Sequence, residues 1–135
     1  MVIWQSALAL VALIRNKKLS PVEVTDAVLA RIETVNPTLN AFCLVAADQA
    51  RTAAREAEIA VMKDEPLGLL HGVPISIKDV LSTRGLTTTG GSRLFADLVP
   101  DEDALSVARL RAAGAVVLGK TNTSEFGHKA VTECP

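Results

Sequence analysis

Residues 70–79 read LHGVPISIKD, and this stretch decides the fold that the sequence predicts. Every second residue from Val73 to Ile77 is branched and apolar, and Lys78 falls on the opposite face. Because successive side chains of a strand point to opposite faces, the alternation predicts a strand over residues 73–78. The strand ends at Lys78, which places an amine where the chain leaves a buried element.

The residues before this strand, 1–65, predict a mainly helical region. A first helix is expected over residues 5–17. The second helix begins with a capping box and a proline at its first position, formed by Ser20, Pro21 and Glu23. We expect Asn36 and Pro37 to end this helix, because proline disfavours the helical conformation in the residue before it.

A short apolar run and a third helix complete the helical region. Residues 41–46 predict a strand, and residues 47–63 predict a helix. One side of this helix carries small residues that permit close packing, namely Ala47, Ala50, Ala54, Ala57 and Val61.

The second part of the chain, residues 66–135, contains the lysine strand and then a loop, a helix and another strand. Residues 81–98 are rich in turn formers and predict a long ordered loop. The acidic residues 101–103 are expected to cap the next helix, because its dipole favours negative charge there. That helix should end at Gly114. Its expected core side consists of Leu105, Ala108 and Ala112.

Residues 115–118 predict a short buried strand. Residues 120–127 then predict a polar loop, with Thr123 or Ser124 as the cap of a further helix. Helices that alternate with short buried strands indicate an α/β fold, and the length fits one domain over residues 1–135.

Composition excludes several classes of protein. The chain has 135 residues, a net charge of -1 and 49% hydrophobic residues, which is typical of a globular domain. Its basic residues are scattered, so no nucleic-acid surface is expected. Cys43 and Cys134 belong to no metal-binding pattern, so we expect no metal, no cofactor and no disulfide. Two free thiols suit the cytoplasm.

The apolar N-terminus, residues 1–14, could be mistaken for a targeting segment. Its basic residues follow the apolar run, which is the reverse of a secretion signal, and the run is too short to span a bilayer. A packed amphipathic helix is the preferred interpretation. A helix that contacts a membrane surface is the alternative.

Lys78 is the main catalytic candidate. Burial at the end of a strand would remove water from its amine and lower its pKa. A neutral amine can accept a proton from a hydroxyl group, and Ser76 lies on the same face of the predicted strand. The structural alternative is a lysine whose stem packs while its amine reaches water.

A glycine-rich segment, residues 87–92 (TTTGGS), is a weaker candidate. Its backbone amides could approach an anion, although a simple turn is the preferred interpretation. His71 and His128 have no metal-ligand partner at helical spacing, so core or surface roles are expected.

Three polar residues near the strand ends are also candidates. Asp79 could form a salt bridge or cap a turn, and the cap is the preferred interpretation. Asn122 and Glu125 follow a strand, where α/β folds place ligand contacts.

The segment 70–79 closely resembles the lysine motif of the amidase-signature family. The resemblance continues in residues 85–92 (GLTTTGGS), 113–122 (AGAVVLGKTN) and 125–127 (EFG), and the helix start at 20–23 (SPVE) is similar too. Several motifs in order, over nearly the whole chain, make this resemblance specific. It implies the N-terminal part of the amidase-signature fold, with helices packed on a mixed β-sheet.

The resemblance also implies an activity. The family hydrolyses carboxamides to carboxylate and ammonia with a triad of nucleophilic serine, cis-peptide serine and lysine, and Lys78 matches that lysine. Both serines are expected beyond Pro135, so Ser76 and Ser92 are not triad members. We therefore expect a small-molecule amide substrate, no activity of this fragment alone, and a need for the missing C-terminal portion or a homo-oligomer.

Two other functions remain open at this point. One is the amidotransferase subunit that supplies ammonia to mischarged tRNA together with partner subunits. The other is a non-catalytic interaction domain that keeps the scaffold of a decayed amidase.

Overall fold

The computed structural model describes residues 2–130 and 132. In these residues the α-helices are α1 (Ala7–Arg15), α2 (Pro21–Leu39), α3 (Ala47–Met62) and α4 (Leu105–Ala112). The strands are β1 (Phe42–Val45), β2 (Pro74–Lys78) and β3 (Val116–Thr121). Short 3-10 turns cover Val2–Trp4, Arg93–Phe95 and Glu125–Gly127.

The three strands form one mixed sheet in the order β1-β3-β2. β3 lies in the centre, antiparallel to β1 and parallel to β2. The central position explains why residues 116–120 are all buried, since both neighbours and both faces cover this strand. The α/β class and the mixed sheet that the sequence predicts are confirmed.

Helices α2 and α3 cover one face of the sheet. The contact consists of small and branched side chains, and its buried members are Leu29, Ile32, Ala50, Ala54, Val116 and Leu118. Ala50 and Ala54 are fully buried, which confirms the small-residue side predicted for α3. Because alanine has no side chain beyond Cβ, α3 can approach both α2 and β3 closely.

The opposite face of the sheet packs on α4 and the loop between β2 and α4. Its buried cluster contains Ile77, Leu86, Val107 and Val117. A third cluster, formed by Leu10, Ile14, Val24, Val61 and Val73, joins α1 to the start of the lysine strand. The predicted strand over residues 73–78 is thus held by buried contacts at both of its ends.

The start of α2 is as predicted, but its end is not. Ser20 and Glu23 form both bonds of the capping box, with Glu23 accepting from Ser20 N at 3.0 Å. Pro37 lies inside the last turn of α2, so the prediction that the helix ends there is wrong. The side chain of Asn36 bonds both backbone groups of Phe42, at 2.8 and 3.0 Å, and this link holds the last turn in place.

The acidic segment before α4 does not cap that helix, contrary to the prediction. The N-cap residue is Ala104, and it makes no side-chain capping bond. Asp103 instead accepts from Arg84 N at 2.7 Å and pairs with Arg111 at 3.1 Å. Its carboxylate therefore ties the long loop to α4.

The predicted core side of α4 is also wrong. Val107 is fully buried, whereas Leu105 is 67% exposed and Ala108 and Ala112 are exposed as well. The sheet lies on the side of Val107, so the apolar side chains on the opposite side have nothing to pack against in the described chain. Gly114 ends the helical segment with a φ of +86°, as expected for a glycine after a helix.

Two further sequence expectations concern the chain as a whole. No helix in the described residues is both long and apolar enough to cross a membrane. Cys134 lies outside the described residues, so its predicted state is not addressed, while Cys43 is an exposed, unoxidised thiol on β1.

Candidate active site

The candidate site lies at the edge of the sheet where two parallel strands end together. Lys78 is the last residue of β2, and it is the register partner of Thr121, the last residue of β3. The loop after β2 and the turn after β3 therefore start side by side. In α/β folds this carboxyl edge is the usual place for ligands.

Lys78 is exposed, so the predicted burial of its amine is not present in the described chain. The physical reason is the position of β2 at the edge of the sheet, where no further strand covers it. Ser76, on the same face, is exposed too.

The amine of Lys78 nevertheless has a defined neighbour. Gly127 has a φ of +70°, and a Cβ placed on it would lie 3.9 Å from Lys78 Nζ and 3.9 Å from Thr123 Oγ1. The side chain of Lys78 thus extends over the turn that follows β3. Sequence reasoning placed Lys78 and residues 123–127 in separate motifs, and the fold brings them together.

Asp79 is buried and connects the end of β2 to the glycine-rich segment. Its Oδ2 accepts from Thr89 N at 3.1 Å and from Thr89 Oγ1 at 2.5 Å. Its backbone donates to Thr121 O and accepts from Gly90 N, both at 2.9 Å. The prediction of a local turn cap is therefore wrong, because the carboxylate of Asp79 fixes a loop ten residues away.

The other function of Asp79 is a salt bridge to a lysine that the sequence analysis did not single out. Lys120 Nζ lies 3.5 Å from Asp79 Oδ1, and both side chains are almost completely buried. Lys120 is the largest fully buried side chain in the described chain. Burial lowers the pKa of Lys120 below 10.5, its ordinary value, and the charge of Asp79 opposes this effect.

An irregularity in β3 directs Lys120 toward this loop. Ile75 pairs with Val117 and Ile77 pairs with Lys120, so β3 contains one residue more than β2 over this interval. Strict alternation would put Lys120 on the face opposite Val117. The extra residue puts both side chains on the face of the β2–α4 loop, which is a known effect of β-bulges.

Gly119 makes this irregularity possible. An added Cβ at Gly119 would lie only 2.1 Å from Leu44 O on the neighbouring strand β1. Only a residue without a Cβ fits there, so the glycine before the lysine in the sequence VVLGK has a direct structural cause. A lysine that follows four buried apolar residues and a glycine was the signal that could have revealed Lys120.

The glycine-rich segment 87–92 is a turn and not an open anion site. The backbone N–H groups of residues 88–92 all donate within the chain, to Leu98 O, Asp79 Oδ2, Asp79 O, Thr89 Oγ1 and Thr89 O. No amide in this run points outward to a ligand, so the structural interpretation preferred from the sequence is the right one.

The turn after β3 packs on the glycine-rich segment. Ser92 Oγ donates to Glu125 Oε1 at 2.8 Å, and Phe126 N donates to Gly90 O at 2.7 Å. Ser124 precedes the 3-10 turn but makes no capping bond, since its Oγ is shared with the backbone of Lys129. The prediction of a helix capped here by Thr123 or Ser124 is wrong, because the chain makes only this single turn.

The remaining candidates have structural partners. Asn122 donates from its side chain to Asn40 O and from its backbone to Ala41 O, so it joins β3 to the start of β1. His71 Nε2 donates to Ala57 O at 2.9 Å, and His128 Nδ1 donates to Glu125 O at 2.7 Å. Among the described residues no group of His, Cys, Asp and Glu side chains could hold a metal ion.

The described residues thus offer one exposed amine, beside a loop and a turn that are both tied down by buried polar contacts. An amine can act as a base or bind an anion. The chain that carries this arrangement is similar to known proteins. The family model described as Amidase matches residues 23–135.

Curated relatives agree with this match. The chain is 47% identical over 128 residues to a glutamyl-tRNA(Gln) amidotransferase subunit from Salinispora tropica, which covers 95% of this chain and 26% of that protein. It is 40% identical over 130 residues to an acylamidase from Rhodococcus erythropolis, covering 96% and 27%. The chain therefore spans about a quarter of the length of these relatives.

Solved structures show the same fold. A bacterial aryl acylamidase of the amidase-signature enzymes superposes with a TM-score of 0.91 and 33% identity, over 98% of this chain and 28% of its own. The peptide amidase of Stenotrophomonas maltophilia superposes with a TM-score of 0.85 and 36% identity, over 91% and 26%. The chain belongs to the Amidase family.

Proposed function

We propose that this chain is the lysine-bearing part of an enzyme that hydrolyses carboxamides, with Lys78 as its proton acceptor. One observation carries the proposal. Lys78 ends β2 at the carboxyl edge of the sheet, and it belongs to the segment that resembles the family's lysine motif. No other amine in the described chain combines that position with exposure, because Lys120 is fully buried.

In the proposed reaction the neutral amine of Lys78 accepts a proton that passes through one serine from a second serine. The second serine oxygen then attacks the amide carbonyl carbon, and the amine or ammonia leaves with a proton returned from the lysine. Water hydrolyses the acyl-enzyme to the carboxylate and restores the serine. Both serines would come from the part of the enzyme that this chain does not contain.

The proposal requires that further protein covers Lys78. Large apolar side chains are uncovered beside the site: Leu94 is 84% and Phe126 58% exposed, and the rings of Phe95 and Phe126 contact each other edge to face. Covering this rim would exclude water from the amine and favour its neutral form. We propose the remainder of the amidase as the covering protein, with a second copy of the chain as the alternative.

A chimera tests the proposal. Residues 1–135 would replace the equivalent quarter of the Rhodococcus erythropolis acylamidase, and hydrolysis of an aryl amide would be measured. We expect an active chimera, and loss of activity by about two to four orders of magnitude for Lys78→Ala. Lys18→Ala is the matched control, because Lys18 is exposed in the turn before α2 and should keep full activity. Unchanged turnover in Lys78→Ala would refute the role of Lys78.

The second candidate is release of ammonia from glutamine for transfer to a partner. The identity of 47% to an amidotransferase subunit supports it. The same chimera made with the Salinispora tropica protein, together with its partner subunits, would be assayed for glutamine-dependent amidation. Activity there but none with simple amides would favour this candidate. A non-catalytic remnant predicts that neither chimera works.

The expected cytoplasmic location is part of the same proposal. It is supported by the reduced state of Cys43 and by the relatives named above, and fractionation of cells that express the chain would test it.

A further inference from the structure

The buried amine of Lys120 has three neighbours that can only accept hydrogen bonds from it. Nζ lies 2.7 Å from Leu81 O, 3.1 Å from Thr83 Oγ1 and 2.7 Å from Thr88 Oγ1. Thr83 Oγ1 donates its single hydrogen to Leu81 O at 3.0 Å, and Thr88 Oγ1 donates its hydrogen to Leu86 O at 3.1 Å. Both hydroxyl groups must therefore accept from Lys120.

Three acceptors require three N–H donors, and only the ammonium form of lysine has three. Lys120 is thus charged in this arrangement, and Asp79 Oδ1 at 3.5 Å provides the opposite charge. Asp79 Oδ1 accepts no hydrogen bond among the described residues, so it faces Lys120 as a charge partner. Because Lys120 has no free lone pair and no exposed surface, it cannot itself serve as the base.

The bonds of Lys120 and Asp79 hold one continuous piece of chain. Lys120 binds residues 81, 83 and 88, and Asp79 binds Thr89 through its side chain and Gly90 through its backbone. Segment 79–90 is therefore attached at five points to a pair of buried charges, one of which is anchored in the central strand β3. Lys78 is the residue immediately before this segment, and its carbonyl accepts from Leu81 N at 3.0 Å.

We propose that Lys120 is a positioning residue for Lys78: its ammonium holds segment 79–90 against β3 and thereby fixes the end of β2 from which Lys78 extends. This inference rests on the proposed function of Lys78. It assigns to the lysine of the GKTN sequence a role in the geometry of the reaction, through contacts with the loop and not with the substrate. Small displacements of a reacting group are costly, since a shift of about 1 Å can slow a reaction roughly 100-fold.

Two sets of variants in the acylamidase chimera separate positioning from simple stabilisation. Lys120→Met removes the ammonium, and the double variant Lys120→Met with Asp79→Asn also removes the unbalanced charge. We expect Lys120→Met to lower kcat by about 10- to 100-fold with an unchanged KM. The double variant should recover the melting temperature but not kcat, because it restores charge balance without the three bonds to the loop.

Thr88 provides a milder pair in case Lys120→Met folds poorly. Thr88→Val keeps the shape of the side chain but removes the hydroxyl that accepts from Lys120, and Thr88→Ser keeps that hydroxyl. We expect a lower kcat in Thr88→Val and a nearly native kcat in Thr88→Ser. Recovery of kcat together with the melting temperature in the double variant, or equal kcat in the two Thr88 variants, would overturn the proposal.

A direct measurement on the chain itself does not depend on activity. The amide of Gly90 donates to Asp79 O, so its hydrogen exchange reports whether segment 79–90 is held. We expect exchange at Gly90 to be at least about tenfold faster in Lys120→Met, with the amides of α2 unchanged. Equal exchange would refute the clamp. An inactive Lys78-containing chimera with this exchange result would instead refute the proposed function and leave only the clamp.

Discussion

At the scale of single residues, the Lys120–Asp79 pair shows how a buried charge can be both costly and necessary. Moving two charges out of water opposes folding, and their attraction and hydrogen bonds must offset that cost. Lys120 has three acceptors and Asp79 Oδ2 has two donors, so nearly every polar atom of the pair is bonded. Removing one partner leaves the other uncompensated.

We therefore predict that Lys120→Met lowers the free energy of unfolding of the chain by about 3–5 kcal/mol. Adding Asp79→Asn should recover most of this loss, because no buried charge then remains. Urea denaturation followed by circular dichroism measures both values, and Lys18→Met, at an exposed position, is the control. Additive losses in the double variant would show that the two side chains do not form a coupled pair.

The lowered pKa of Lys120 predicts the sign of a pH effect. Between that lowered pKa and 10.5, the unfolded chain binds more protons at this residue than the folded chain does. Stability then rises with pH in this window, and the contribution of Lys120 is least favourable below it. The difference in unfolding free energy between the wild type and Lys120→Met, measured from pH 8 to about 10, should change in favour of the wild type. A change in favour of the variant would mean that the pKa of Lys120 is raised.

At the scale of elements, the bulge in β3 decides which side chains reach the site. Without the extra residue, Lys120 would point to the face covered by α2 and α3, where Leu118 packs. A lysine there would meet aliphatic side chains in place of threonine hydroxyls. The bulge therefore determines whether the buried ammonium finds its acceptors.

Gly119→Ala should disrupt this element. Its Cβ would lie 2.1 Å from Leu44 O, a contact that neither strand can relieve without moving, so we expect a loss of about 3 kcal/mol or more in unfolding free energy. Gly85→Ala is a suitable control, because Gly85 has a φ of +75° but nothing within 4 Å of an added Cβ. It should cost only about 1 kcal/mol, for the left-handed backbone. Similar losses in the two variants, by thermal unfolding, would argue against the close approach of β1 and β3.

The contrast between predicted and observed elements has the same physical origin. The capping box of α2 and the alternation in β2 are local patterns, and both are present in the structure. The contacts of Lys120 join residues more than 30 positions apart and depend on a bulge that no local pattern specifies. The prediction for α4 was wrong for a related reason, since periodicity indicates an apolar side but not what covers it.

At the scale of the whole molecule, the chain exposes apolar side chains next to its candidate site. It spans about a quarter of its relatives, and both outer strands of its sheet lack a second neighbour in the described residues. Unpaired edges and apolar patches promote association.

We expect the isolated chain to associate as its concentration rises, as sedimentation velocity would show. Leu94→Ser combined with Phe126→Asn should reduce this association, and asparagine tolerates the left-handed φ of +50° at residue 126. Leu69→Ser is the control, because Leu69 is equally exposed but lies outside this patch. An equal reduction by the control would show that the apolar rim is not the associating surface.

The central claim is that Lys78 removes the proton that allows a serine to attack an amide. Rapid-quench measurement of the first turnover of the acylamidase chimera with an aryl amide tests it most directly, because release of the arylamine reports acylation alone. The account predicts a burst of arylamine in the chimera and its slowing by at least about 100-fold in Lys78→Ala. A burst of equal rate in Lys78→Ala would contradict it.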